Sequence, residues 1–214
     1  MNKCIVEMIG TFFLVFTVGV TVLTSEPLAP FAIAGVLMVM IYAGGHISGA
    51  HYNPAVTFGV MLRGKIDKEE AVAYVIVQLI AAVAAAICAG LLVGSGSQLL
   101  ETGTVVQLVG FKAVCAAFVA ELLFAFALTF VILNVATASG TANNSFYGVA
   151  IAGTVLAGAL TVGWITGGAF NPAVTLGGLL LRIFPWTYCW VYFLAQFLGA
   201  GLAAKAFLAV NPEE

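Results

Sequence analysis

The chain has 214 residues, of which 63% are apolar and only 7% charged, with a formal net charge of −2. Soluble domains carry about 25% charged residues, so this composition excludes a soluble globular protein and identifies a multi-span protein whose surroundings are the lipid bilayer. The slightly acidic balance gives no footing for a nucleic-acid role.

A first span is predicted over residues 4–23. It imitates a secretory leader, but Glu7 interrupts what would be the apolar region, so the segment reads as retained. Ser25, Glu26, Pro27 and Pro30 end it, and a second span follows over residues 31–43. Residues 44–51, rich in glycine and holding His46, Ser48 and His51, then predict an unwound stretch at membrane depth. Irregular backbone is tolerated there only if it is buried in protein or lines an aqueous cavity.

Asn53-Pro54-Ala55 follows, and Asn171-Pro172-Ala173 repeats it. Asparagine is a favoured N-cap and proline suits the first helical position, where its missing N–H is not needed. Each copy therefore predicts a helix that starts inside the apolar chain, over residues 53–62 and 171–181. Ten residues make roughly 15 Å of helix, about half of a ~30 Å hydrocarbon core. Two such half-helices facing end to end would span the membrane with their N-termini at the midplane.

Residues 63–70 form the one charge cluster, an aqueous loop in which Asp67 is placed to cap the third span, residues 68–93. A longer, mildly polar connection covers residues 95–110, and a fourth span covers residues 111–136. An uncharged loop at residues 137–145 leads to a fifth span over residues 146–162. A second glycine-rich break, residues 163–170, precedes the second half-helix, and Pro185-Trp186 opens a sixth span that runs to Leu208. Trp164, Trp186 and Trp190 read as interfacial anchors. The 24 glycines lie inside apolar runs, as suits helices packed closely in lipid. Cys4, Cys88, Cys115 and Cys189 stand singly in apolar segments and read as small buried hydrophobes. Metal-ligand spacing is not found, and neither a cofactor nor a catalytic constellation is expected.

The halves repeat. The two Asn-Pro-Ala copies are 118 positions apart, as are Gln78 and Gln196, while Glu7 and Glu121 are 114 apart. Residues 1–110 and 111–214 thus each hold three spans and a half-helix. Three crossings are odd, so the second half enters from the opposite face, which makes an inverted repeat with its site near the midplane. Lys3, Arg63, Lys65, Lys68 and Lys205 fall on one side, and Lys112 and Arg182 on the other. The excess marks the cytoplasmic side and places both termini there. The buried Glu7 and Glu121 fit either a proton relay or acceptance of N–H groups from the unwound breaks; their symmetry favours the structural role. Gln78 and Gln196 read as inter-helix hydrogen-bonding groups. Asn53 and Asn171 are expected to cap their helices and turn their amide NH2 groups outward, toward a passing oxygen.

His46-Ile-Ser-Gly-Ala-His-Tyr-Asn53-Pro-Ala-Val-Thr57, the second Asn-Pro-Ala and the glutamate-led spans resemble the major intrinsic proteins, the aquaporins, over nearly the whole chain. The resemblance implies an all-α membrane fold of six tilted transmembrane helices and two re-entrant half-helices, with one pore per subunit. It further implies a homotetramer in the cell membrane and passive conduction of water or small neutral solutes. On the family pattern His51 lines the cytoplasmic half of the pore and His46 pins the break. The carbonyls of Gly49, Ala50, His51, Gly167, Gly168 and Ala169 form a ladder of acceptors. Counting from the motifs places the outer constriction at Ile33, Ala159, Gly168 and Val174, where Val174 replaces the arginine of most members. Some plant vacuolar members also carry valine there but keep a histidine where this chain has Ile33. An arginine-free ring of apolar, mostly small residues predicts a wide, weakly selective opening for water, glycerol, urea, ammonia, hydrogen peroxide or carbon dioxide. A secondary transporter shares the inverted-repeat plan but needs coupling-ion ligands, and a closed structural protein would want bulkier residues in the ring.

Overall fold

A computed structural model describes residues 1–94 and 106–214. The connection expected over residues 95–110 lies mostly outside the described residues. The chain forms α1 (Asn2–Leu23), α2 (Ala29–Ser48), α3 (Pro54–Leu62), α4 (Lys68–Val93), α5 (Gly110–Thr137), α6 (Tyr147–Thr166), α7 (Pro172–Leu180) and α8 (Cys189–Val210). Six of these are long and apolar enough to cross a membrane. The other two, α3 and α7, have nine residues each, about 14 Å at the helical rise.

The first half packs α1 against α4 and α2, and the second packs α5 against α8 and α6. The halves meet where α2 lies on α6, and each half-helix crosses into the other half: α3 lies against α8 and α5, and α7 against α4 and α1. Glycine permits these crossings. A Cβ on Gly177 would sit 2.3 Å from Val15 Cγ1, and one on Gly59 would sit 2.5 Å from Thr129 Cγ2. Small residues fill the interior as well, with Ala81, Ala82, Ala85, Ala86 and Ala89 of α4 buried. The outward positions carry Leu91, Phe111 and Trp164, each more than three-quarters exposed. Large apolar groups outside and small ones inside suit a bundle whose solvent is lipid.

Two expectations need correction. The helices before the breaks run further than glycine content suggested: α2 continues through Gly44, Gly45 and His46 to Ser48, and α6 continues through Gly163 to Thr166. Gly44 is there for packing, since a Cβ on it would lie 2.0 Å from the Tyr52 hydroxyl. The cysteines are not buried. Cys88 and Cys115 are exposed, and Cys4 and Cys189 half-buried, so these thiols sit on the bundle's periphery. The cap at Asp67 forms as expected, its carboxylate accepting from the Glu70 N–H at 2.7 Å.

Candidate functional site

Each break is five residues that turn the chain from a long helix into a half-helix. Gly49 ends α2 at φ 85°, and Gly167 ends α6 at φ 81°. These left-handed closures are cheap only for glycine. Ala50, Tyr52 and Phe170 also have positive φ, without glycine's freedom. Such residues cost about 1–3 kcal/mol each and persist where their surroundings over-determine them. The buried glutamates supply that. Glu7 accepts from Ser48 Oγ at 2.7 Å, His51 N at 2.9 Å, Tyr52 N at 2.7 Å and Gln78 Nε2 at 2.9 Å. Glu121 accepts from Thr166 Oγ1 at 2.7 Å, Ala169 N at 3.1 Å, Phe170 N at 2.8 Å and Gln196 Nε2 at 2.8 Å. Four donors on an acceptor-only carboxylate leave nothing over for a coupling ion.

Sequence reasoning missed several members of this scaffold. Tyr74 donates to Ser48 O at 2.8 Å and Tyr192 to Thr166 O at 2.9 Å. Gln78 Nε2 reaches Thr57 Oγ1 at 3.1 Å, and Gln196 Nε2 reaches Thr175 Oγ1 at 2.9 Å. The signal was present, because each of these pairs repeats at the 118-residue offset of the asparagines.

Asn53 and Asn171 cap α3 and α7. Asn53 Oδ1 accepts from Ala55 N at 2.9 Å, and Asn171 Oδ1 from Ala173 N at 2.8 Å. Pro54 and Pro172 occupy the first helical positions. The amides do not simply point outward. Asn53 Nδ2 donates to Phe170 O at 3.0 Å, and Asn171 Nδ2 donates to Tyr52 O at 2.8 Å. Each asparagine therefore ties its own half-helix to the break of the other half and keeps one further N–H. Both asparagines line a cavity of about 50 Å³.

Ile33 on α2, Ala159 on α6, Gly168 in the second break and Val174 on α7 line the same cavity. None of the four has a polar side chain. Ala50, His51, Gly167 and Ala169 also border it. On the far side of His51 opens a vestibule of about 720 Å³, bordered by Gly49, Lys3, Lys65, Glu70 and Asn144. The cavity and the vestibule share Ile41, His51, Ile132 and Ile151 in their walls. The carbonyls of Gly49, Ala50, His51, Gly167, Gly168 and Ala169 accept no hydrogen bond from the described residues. His46 is not part of the break. It lies within α2, exposed at the vestibule, and its side chain bonds to none of the described residues.

Six apolar helices around two capped half-helices, with a path that opens on a polar mouth and narrows at the capping residues, are the build of a membrane channel. The major intrinsic protein family model matches residues 1–208. The chain is 35% identical to aquaporin NIP1-4 of Oryza sativa, over 99% of this chain and 77% of that one. It is 36% identical to glycerol uptake facilitator protein-like 6 of Lactiplantibacillus plantarum, over the full length of both. Its fold is similar to the X-ray structure of the aquaglyceroporin from Plasmodium falciparum, with a TM-score of 0.77 and 23% identity over 96% of this chain and 94% of that one. The chain belongs to the major intrinsic protein family, the passive membrane channels for water and small neutral solutes.

Proposed function

We propose that this channel is weakly selective, passing water together with small uncharged solutes such as glycerol, urea, ammonia, hydrogen peroxide and carbon dioxide. The observation that carries this reading is the composition of the constriction. Ile33, Ala159, Gly168 and Val174 border the narrow cavity, and none offers the fixed cation or aromatic wedge that would shrink the opening or sort solutes by polar contact. The lining combines aliphatic side chains, Val18, Leu37 and Val155 among them, with the residues of the two breaks and the two capping asparagines. Such a lining suits solutes with a carbon face and a polar face, and the full-length likeness to a glycerol uptake facilitator-like protein supports that preference. Exclusion of cations rests on the two half-helix N-termini, each equivalent to about half a positive charge.

The same reading makes Glu7, Glu121, Gln78 and Gln196 supports of the breaks rather than transport groups, and gives the protein no enzymatic activity. It places a homotetramer in the cell membrane with both termini cytoplasmic, one pore in each subunit, and the repeat divided at residues 1–110 and 111–214. The test is stopped-flow light scattering of proteoliposomes across a solute series of increasing size. Faster equilibration than empty vesicles is expected for water, urea and glycerol alike. Acceleration for water alone would overturn the weak selectivity.

A further inference from the structure

The first break holds a histidine where the second holds Ala169, and the hydrogen bonds around it specify where its proton sits. Thr57 Oγ1 has three polar neighbours: the Asn53 carbonyl at 3.0 Å, Gln78 Nε2 at 3.1 Å and His51 Nδ1 at 3.1 Å. A hydroxyl has one proton to give and two lone pairs to receive with. The carbonyl can only accept. Gln78 Nε2 can only donate, and its orientation is set by its second bond, to the Glu7 carboxylate at 2.9 Å. Turning the amide would put Gln78 Oε1 against that carboxylate. If Thr57 gives its proton to Asn53 O, the usual bond from a helical threonine to the carbonyl four residues back, then His51 must donate from Nδ1.

The second half is arranged differently. With Ala169 in place of the histidine, Thr175 turns its hydroxyl to Gln196 Oε1 at 3.3 Å. In the first half Gln78 Oε1 is buried without a partner, so the Thr57 proton has not gone there. The imidazole is steadied by the Tyr74 ring, edge-on at 5.3 Å between centroids. Its Nε2 meets no hydrogen-bonding group among the described residues, and the ring lies in the wall shared by cavity and vestibule.

We propose that Thr57 holds His51 as the Nδ1-protonated tautomer, so that Nε2 stands in the conduit as a bare acceptor. This inference rests on the channel reading above. With the unbonded carbonyls of Gly49, Ala50 and His51, it makes the conduit between the asparagine tips and the vestibule a row of acceptors. A solute passing there is recognised by the hydrogens it can donate, from hydroxyl, amide or water, and a solute with acceptors only finds no partner. His51 is then a specificity-determining residue, and Thr57 a positioning residue that acts through it.

The test is nitrogen-15 solid-state NMR of the histidine-labelled protein in liposomes, with His46→Gln assigning the signals. At neutral pH, His51 is expected to show a protonated Nδ1 and an unprotonated Nε2. The opposite pattern overturns the proposal. Thr57→Val should convert the single tautomer into a mixture, whereas Thr57→Ser should keep it, so the wild-type and serine spectra decide the matter even if the valine protein does not fold. In the same vesicles His51→Leu is expected to lower glycerol flux about threefold relative to water, the scale of one net hydrogen bond, and an unchanged ratio counts against the acceptor role. Vesicles that swell no faster than empty ones would sink the channel reading but leave the nitrogen spectrum to be read on its own terms.

Discussion

Replacing Glu7 by glutamine exchanges one of its acceptor oxygens for an NH2 group, which must then face a donor from Ser48, His51, Tyr52 or Gln78. A buried donor left unsatisfied costs about 1–3 kcal/mol, and more where a charged partner is lost. Glu7→Gln and Glu121→Gln are each expected to destabilise by at least about 2 kcal/mol, read from unfolding midpoints in detergent. Flux per folded molecule should fall because the break loses its shape. Val174 presents the opposite case, since its side chain makes no polar contact and borders the cavity. Val174→Arg is expected to reduce glycerol permeability by roughly tenfold, about 1.4 kcal/mol of added barrier, and to spare water more than glycerol. Equal loss for both would mean a blocked pore rather than a narrowed one. At this scale the asparagine caps were legible, because Asn followed by Pro inside an apolar run has few other meanings. The crossed amide bonds were not. They join residues 117 and 119 positions apart and exist only because two half-helix tips meet in space.

The half-helices hold their place by close packing rather than by length, since nine residues are too few to be stable alone. Gly177→Ala would push a methyl group into Val15 of α1, whose Cγ1 would lie 2.3 Å from the new Cβ. Overpacking of this kind costs about 1–3 kcal/mol. The pairing with Val15→Ala should recover more than half of the loss, measured as a double-mutant cycle on thermal unfolding of the purified protein. Additive losses would show that the contact does not couple α7 to α1. Helix number and order were readable from the alternation of apolar runs with glycine, proline and charge. The ends before the breaks were not, because glycine both interrupts helices and lets them approach. Gly44 and Gly163 read as interruptions, yet both lie inside helices, and at Gly44 the missing side chain makes room for Tyr52. Sequence pattern alone does not separate these two uses of the residue.

Across the whole molecule, Arg63 at the end of α3 is buried, stacks on Phe207 at 4.8 Å and pairs with Glu214 at 2.7 Å. Glu214 also accepts from the Ser139 backbone N–H, in the turn between α5 and α6. The hydrogen bonds from Ser139, reinforced by Arg63 and Lys65, hold the Glu214 carboxyl below the usual carboxylate range. A group lowered in this way stabilises the folded contact above the unfolded value of about 4.3 and loses that contribution as pH falls through the lower, folded value. Exchange protection of the Ser139 amide, corrected for its intrinsic rate, is therefore expected to be constant near neutrality and to fall in acid. Glu214→Gln should remove that pH dependence; protection that ignores both acid and the substitution would mean the contact is not formed in the membrane.

The crossed amide-to-carbonyl pair has a consequence for control. Pulling the two half-helices apart would break both interlocking amide-to-carbonyl bonds at once, so the waist acts as a rivet and not as a valve. Throughput at that point then varies with the size of the traveller and the temperature, while any cellular signal that opens or shuts the conduit has to act on its ends.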